Sequence, residues 1–196
     1  YVETIGAYAF SNSGISSISL PETLQYMGGG VFEKSELKFT IIPANIKEIP
    51  AYCFRQCHNL ESVELPAELL TIGSYAFNEC TEIDSINLPS ALLSISEGAF
   101  QGCSSLKHFS IPDNVKEIHP SILWDCPEIR SLSFGSALDG LPVLSNYSWS
   151  SYNGFVDFLS LGGNYYKQDN YPYTTWDRTY LTGLREVVIK DSPESF

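Results

Sequence analysis

Prolines at positions 21, 43, 66, 89 and 112 stand 22, 23, 23 and 23 residues apart, and each closes the same short phrase. The fullest copy is Ala99-Phe100-Gln101-Gly102-Cys103-Ser104-Ser105-Leu106-Lys107-His108-Phe109-Ser110-Ile111-Pro112. One period earlier it reads Ala76-Phe77, Cys80, Ile83, Ile86, Leu88, Pro89, and one earlier again Cys53-Phe54, Cys57, Leu60, Val63, Leu65, Pro66. A fixed period of this size requires a solenoid. Each repeat is one coil, too small to bury its apolar residues except against the coils on either side.

Within a repeat the apolar residues divide into three groups. The first is an apolar-x-x-apolar-x-apolar run ending at the proline, whose closing alternation predicts a strand. Such runs occur at 15–20, 37–42, 60–65, 83–88, 106–111 and 129–134, with Gly135 in the proline's place after the last. Proline has no N–H to donate, so it ends the ladder and turns the chain. Three and six residues further come the pairs Leu24/Met27, Ile46/Ile49, Leu69/Ile72, Leu92/Ile95 and Val115/Ile118. These predict a second short extended segment on the far side of the coil. The third group is the Ala-Phe pair, expected on one helical turn per repeat. Pro50 and Pro120 fall just before it, where a first helical turn tolerates proline. Phe10, Phe32, Phe54, Phe77 and Phe100 are expected to stack as one column, with Leu123 taking the sixth place.

Composition narrows the function. Of 196 residues, 43% are hydrophobic and 17% charged, which suits a folded chain. The net charge of −12, with 11 Lys and Arg scattered singly, argues against nucleic acid and against anionic lipid, both of which need clustered cations. No run of 18 apolar residues is present, so no insertion of this segment into a membrane is expected. The array is already under way at Tyr1 and stops at Phe196 one short turn past a strand pattern, so the expectation is either a fragment of a longer array or a chain with an atypical end.

The rhythm divides the chain in two. Residues 1–141 hold regular 22–23-residue repeats, and residues 142–196 are expected to form elongated, aromatic-rich repeats of the same solenoid. Strand patterns recur there at 156–161 and 184–189, and from Tyr147 to Tyr180 stand eleven aromatic residues including Trp149, Tyr171, Tyr173 and Trp176. Lengthened repeats place their extra residues in loops, a frequent seat of binding.

The run Leu-x-x-Ile-x-Leu-Pro, apolar pair, Ala-Phe-x-x-Cys resembles the leucine-rich repeats of the BspA-like type, found in surface proteins of anaerobic bacteria and some mucosal protozoa. The resemblance covers 1–141 strongly and 156–161 and 184–189 weakly. It implies a right-handed leucine-rich repeat solenoid, mostly β, whose parallel sheet lines the concave face. It also implies secretion or surface display and adhesion to host proteins or other cells.

Several residues invite chemistry. Cys57, Cys80, Cys103 and Cys126 share one slot, and a column of them about 5 Å apart would lie within disulfide range. Ser13 and Ser35 fill the same slot in earlier repeats, so a small buried side chain explains it better, and Cys53 reads the same way. The 23-residue spacing is not that of a zinc site, so no metal and no cofactor are expected. Of the three histidines only His108 points from a strand, beside Ser85 and Ser131, with Glu64 two coils away. No catalytic residue is assigned, because stacked columns make such neighbours common by accident. Gly28-Gly29-Gly30 lacks the lysine of a phosphate-binding loop and reads as a locally loosened coil.

The outward strand positions carry the functional expectation. They form the columns Ser17, Phe39, Ser62, Ser85, His108, Ser131 and Ser19, Ile41, Glu64, Asn87, Ser110, Ser133. On this small, polar floor Phe39 and Ile41 stand out. An exposed apolar pair marks an interface, though single exposed apolar residues are ordinary. The ligand-binding candidates are therefore Phe39, Ile41, Ser62, Glu64, Ser85, Asn87 and His108 on the sheet, with Trp149, Tyr171, Tyr173 and Trp176 in the aromatic loops. Those rings supply recognition surface, or they seal the end of the solenoid. The expected function is non-enzymatic adhesion at the cell surface or outside the cell. The ligand is an extracellular or host protein or a glycan, and the competing reading is a rigid spacer.

Overall fold

In a computed structural model the chain winds into a parallel β-solenoid of about six coils. Residues 1–119 and 121–133 are described in full and residues 134 and 186–189 by their backbone. One side of each coil carries the two-residue strands β1 (Thr4–Ile5), β2 (Tyr26–Met27), β4 (Glu48–Ile49), β6 (Thr71–Ile72), β7 (Ser94–Ile95) and β9 (Glu117–Ile118). The other side carries β3 (Phe39–Ile41), β5 (Ser62–Glu64), β8 (His108–Ile111), β10 (Ser131–Phe134) and β11 (Glu186–Ile189). Every pairing is parallel and in register by whole repeats, Phe39 with Ser62 and His108 with Ser131 among them. The strands expected at 15–20 and 83–88 are reduced to single bridges, Ser17 to Phe39 and Ser85 to His108.

Each proline opens a reverse turn rather than merely ending a strand. The N–H of the residue three positions on returns to its carbonyl: Leu24 to Pro21 at 2.9 Å, Ile46 to Pro43 at 3.0 Å and Leu69 to Pro66 at 3.1 Å. The apolar residue three past the proline is therefore the one that closes the turn, and it points into the core.

The helical turn expected at the Ala-Phe pair is not what forms, and no α-helix occurs among the described residues. Around Phe54, the N–H groups of Cys53, Arg55 and Cys57 close turns onto Pro50, Tyr52 and Phe54 at 3.2, 3.1 and 3.0 Å. The alternate N–H groups of Tyr52, Phe54 and Gln56 reach across to Ser74, Ala76 and Asn78 of the next coil at 2.9, 2.7 and 2.7 Å. A helix would direct every one of these groups along its own axis and leave the corner unbonded to its neighbour. Alternation satisfies both neighbours at the cost of left-handed backbone at Tyr52 (φ 62°) and Gln56 (φ 58°) and at the equivalent residues of other coils. That cost, roughly 1–2 kcal/mol per residue, is no larger than the ~1–3 kcal/mol of stranding a buried N–H.

Gly28 and Gly30 of the second coil are tightly packed rather than loosened, while a Cβ on Gly29 would meet only the Ala51 carbonyl oxygen at 3.4 Å. A Cβ on Gly28 would lie 2.2 Å from the backbone N of Ala7, and Gly30 (φ 62°) lies directly under the Tyr8 ring. Side chains cannot occupy that contact, which is why glycines do.

The core follows the slots. Phe10, Phe32, Phe54, Phe77 and Phe100 stack with centroid separations of 5.6, 5.4, 5.2 and 5.2 Å and interplanar angles of 2–15°. Leu123 is buried in the sixth coil, and Phe109 meets Phe100 edge-on at 5.0 Å. At the far end β11 pairs directly with β10, Ser131 opposite Glu186 and Phe134 opposite Ile189. β10 has β8 on its other side. The strand pattern at 156–161 lies outside the described residues, as does the rest of 142–185. No helix of the described residues is long and apolar enough to cross a membrane.

Candidate functional site

Strand residues alternate faces, and here the alternation is fixed by the stack rather than by each strand's own sequence. The inward slot between the two outward columns holds Ile18, Thr40, Val63, Ile86, Phe109 and Leu132. Ser17, Phe39, Ser62, Ser85 and His108 are exposed in the first outward column, and Ser19, Ile41, Glu64, Asn87 and Ser110 in the second. Ser131 and Ser133 are half-buried. The structure thus brings together every sheet residue proposed from the sequence. Trp149, Tyr171, Tyr173 and Trp176 lie outside the described residues.

β3 inverts the chemistry of its neighbours. Phe39 is 42% exposed and Ile41 51% exposed, while Thr40 between them is 0% exposed. The Thr40 hydroxyl oxygen is buried without a hydrogen-bond partner. Sliding this strand by one residue would bury both apolar side chains and free the hydroxyl. Leu37 and Ile42, both buried, and the ladder from Phe39 to Ser62 hold it where it is. Thr40 was missed by sequence reasoning, although aligning the inward slot would have shown a lone hydroxyl among aliphatic and aromatic residues.

Elsewhere the face is a floor of hydroxyls bonded along the stack. The Ser133 hydroxyl donates to Ser110 at 2.7 Å and His108 Nδ1 lies 2.8 Å from Ser131 Oγ, whereas the Ser85 hydroxyl donates within its own coil to Asp84 at 3.0 Å. A general base needs both a nucleophile and a group that orients its second nitrogen. The contact from His108 to Ser131 supplies one of those two parts. A hollow of about 230 Å³ adjoins this face, lined by Lys34, Ser35, Glu36, Gln56, His58 and Asn59 of the second and third coils. Its walls are fixed by hydrogen bonds from Asn59 to Glu36, from Gln56 to Glu79 at 3.0 Å, and between His58 Nδ1 and the Glu79 carbonyl at 3.1 Å. No sequence motif marks it, because it arises from polar corner residues of two different repeats.

The cysteines form a buried ladder of thiols, all five free. Cys57, Cys80, Cys103 and Cys126 each donate to the phenylalanine carbonyl of the preceding coil, Phe32, Phe54, Phe77 and Phe100, at 2.9, 3.0, 3.2 and 3.1 Å. Ser13 instead donates to the Phe10 carbonyl of its own coil at 2.6 Å, and Ser35 Oγ lies 3.5 Å from Cys57 Sγ. The slot accepts a hydroxyl or a thiol because each finds a partner there, but it is the thiols that bridge to the preceding coil's phenylalanine. Burial pushes the Cys80 and Cys103 thiols well above their ordinary range and Cys126 up to about 12. Thiols held protonated are poor nucleophiles and poor metal ligands. Among the described residues no group of three His, Cys, Asp or Glu side chains is placed to hold a metal ion.

With this geometry in place, the comparison with known families is decisive: the BspA type leucine rich repeat region matches in six copies, over residues 1–90 and 27–152. The chain belongs to that family. BspA-type repeats form a leucine-rich repeat fold that is generally a non-enzymatic platform for protein interaction. Among solved structures, a leucine rich cell surface protein from Faecalibacterium prausnitzii A2-165 aligns with a TM-score of 0.58 at 18% identity, over 98% of this chain and 52% of that one. The pneumococcal vaccine antigen PcpA aligns with a TM-score of 0.54 at 23% identity, over 70% of this chain and 43% of that one. The BspA-type chain therefore spans about half the length of the first and less of the second, and both likenesses are of fold. A comparison with curated proteins finds no match.

Proposed function

We propose that this BspA-type repeat array is displayed on a cell surface or outside the cell and binds an extracellular or host protein through the face centred on Phe39 and Ile41. The observation that carries the reading is the inverted strand. Leaving the Thr40 hydroxyl unpaired costs about 1–3 kcal/mol, and Phe39 and Ile41 forgo burial that would stabilise the chain. The register that Leu37, Ile42 and the ladder to Ser62 impose does not call for apolar residues at these outward slots, which serine fills in other coils, whereas an exposed aromatic beside a β-branched residue is a suitable anchor for a protein partner. Ser62, Glu64, Ser85, Asn87 and His108 supply a polar surround whose hydrogen bonds give specificity. The aromatic residues Trp149, Tyr171, Tyr173 and Trp176 supply a second contact. The cell-surface character of the Faecalibacterium relative supports the location.

The test uses the full chain against a panel of purified extracellular-matrix proteins, with the same panel deglycosylated to separate protein from glycan recognition. Phe39→Ser with Ile41→Ser should weaken binding by at least tenfold while leaving the melting temperature unchanged, because serine already fills those slots in other coils. Adding Tyr171→Ala and Trp176→Ala should weaken it further. Binding that survives all four substitutions would refute the reading in favour of a spacer.

A further inference from the structure

The second sheet, on the other side of each coil from Phe39 and Ile41, carries its own exposed apolar pair. Between buried Leu69 and Ile72 the chain bends, so that Leu70 and Thr71 both face outward, and the same holds in each coil. The rows stack as Lys47-Glu48, Leu70-Thr71, Leu93-Ser94 and Lys116-Glu117. Backbone bonds run from Leu70 to Lys47 at 2.9 Å, Leu93 to Leu70 at 2.9 Å and Lys116 to Leu93 at 2.8 Å. The pairings of Glu48 with Thr71, Thr71 with Ser94 and Ser94 with Glu117 fix the second column. Leu70 is 37% exposed and Leu93 39% exposed. Among the described residues the ion pairs are Arg55 with Glu33, Lys107 with Asp84 and Arg130 with Glu128, and the four charges of these rows enter none of them.

We propose that this patch is a self-complementary contact through which two copies of the chain associate face to face, with Leu70 and Leu93 at its centre. The charge order selects both the partner and the geometry. A two-fold axis along the strands would lay Lys47 over the second copy's Lys116 and Glu48 over its Glu117, like charge on like. A two-fold axis along the stack of coils sets Lys47 over the second copy's Glu48, and Lys116 over its Glu117. That gives four opposite-sign contacts at the two ends of the patch and sets each leucine over the second copy's Thr71 or Ser94, diagonal to its Leu70 or Leu93. An isologous contact of this kind requires one surface to match its own rotated image, and the charges of these rows do. The four rows offer eight residues a side, well short of the ~20–30 residues and ~800 Å² per partner of a standard interface. The association is therefore weak, with a dissociation constant on the order of 0.1–1 mM. It is relevant where chains are crowded on one surface, since tethering raises effective concentration into that range.

Sedimentation equilibrium of the full chain at up to about 1 mM tests this. The wild type should show a monomer–dimer equilibrium, and Leu70→Ser with Leu93→Ser should abolish it. Lys47→Glu alone and Glu48→Lys alone should each weaken self-association at least tenfold, because each row then meets like charge. An equal mixture of those two variants should recover the wild-type dimer. Should either variant fold poorly, Lys116→Glu and Glu117→Lys make the same test two coils beyond the leucines' centre. A wild type that stays monomeric throughout, or a mixture no more associated than its components, would overturn the proposal.

Discussion

β3 and β10 occupy the same place in their coils and present opposite chemistry. In β10, Leu132 is buried between Ser131 and Ser133, so the apolar residue is in and the hydroxyls are out. In β3 the hydroxyl of Thr40 is in and Phe39 and Ile41 are out. Local preference alone would pair these strands one residue out of step. They are in step because register belongs to the array: the phenylalanine stack, the thiol ladder and the proline turns fix each coil before its strand is asked which residues it prefers to bury. A strand can therefore carry side chains on its outer face that it could not hold there alone, and that freedom is what makes the fold usable as a binding platform.

Removing part of what fixes the coils should have the largest effect. Phe77→Ala leaves a hole between Phe54 and Phe100 and should cost about 3–5 kcal/mol in chemical denaturation. Because coils stabilise only their neighbours, hydrogen exchange should rise in the coils on both sides. Next in size is a transplant of the β3 chemistry into β10. Leu132→Thr buries a second hydroxyl in an aliphatic slot and leaves a cavity, and should cost about 2–4 kcal/mol.

The thiol ladder gives an alkaline test. Burial raises Cys126 from its ordinary value of 9.0 to about 12, so the unfolded chain loses that proton first as pH climbs. Its contribution is therefore fully present below pH 9 and is lost between pH 9 and 12 at up to ~1.4 kcal/mol per pH unit. Cys126→Ser, which keeps a donor for the Phe100 carbonyl, should flatten that slope in urea melts taken across the range. The reverse of the transplant is smaller and opposite in sign: Thr40→Val should stabilise the chain by about 1 kcal/mol, since valine already fills this slot as Val63. Smallest of all for stability is Phe39→Ser with Ile41→Ser, within about 0.5 kcal/mol of wild type, although binding should fall.

Much of this was legible in the sequence. The prolines gave the coil length, the recurring Phe and Cys slots gave the stacked core, and the outward columns fell where period-two alternation put them. The Ala-Phe corner was not legible as anything but a helical turn, because its hydrogen bonds alternate between its own coil and the next. No local pattern at Tyr52 or Gln56 reports a left-handed backbone, since neither is glycine. The hollow beside Lys34 and His58 escaped because its lining comes from two repeats, each unremarkable alone. The pairing of Glu186–Ile189 with Ser131–Phe134 escaped for a different reason: spacing along the chain does not report which strands become neighbours in the sheet.

The claim that the array, and not the strand, sets the register can be measured at three adjacent positions. Phe39→Cys, Thr40→Cys and Ile41→Cys each add one thiol to a protein whose own five are buried. Native-state reaction with a water-soluble thiol reagent then reads exposure directly. Fast labelling at 39 and 41 with protection at 40 is the predicted result; labelling at 40 with protection at 39 and 41 would contradict it.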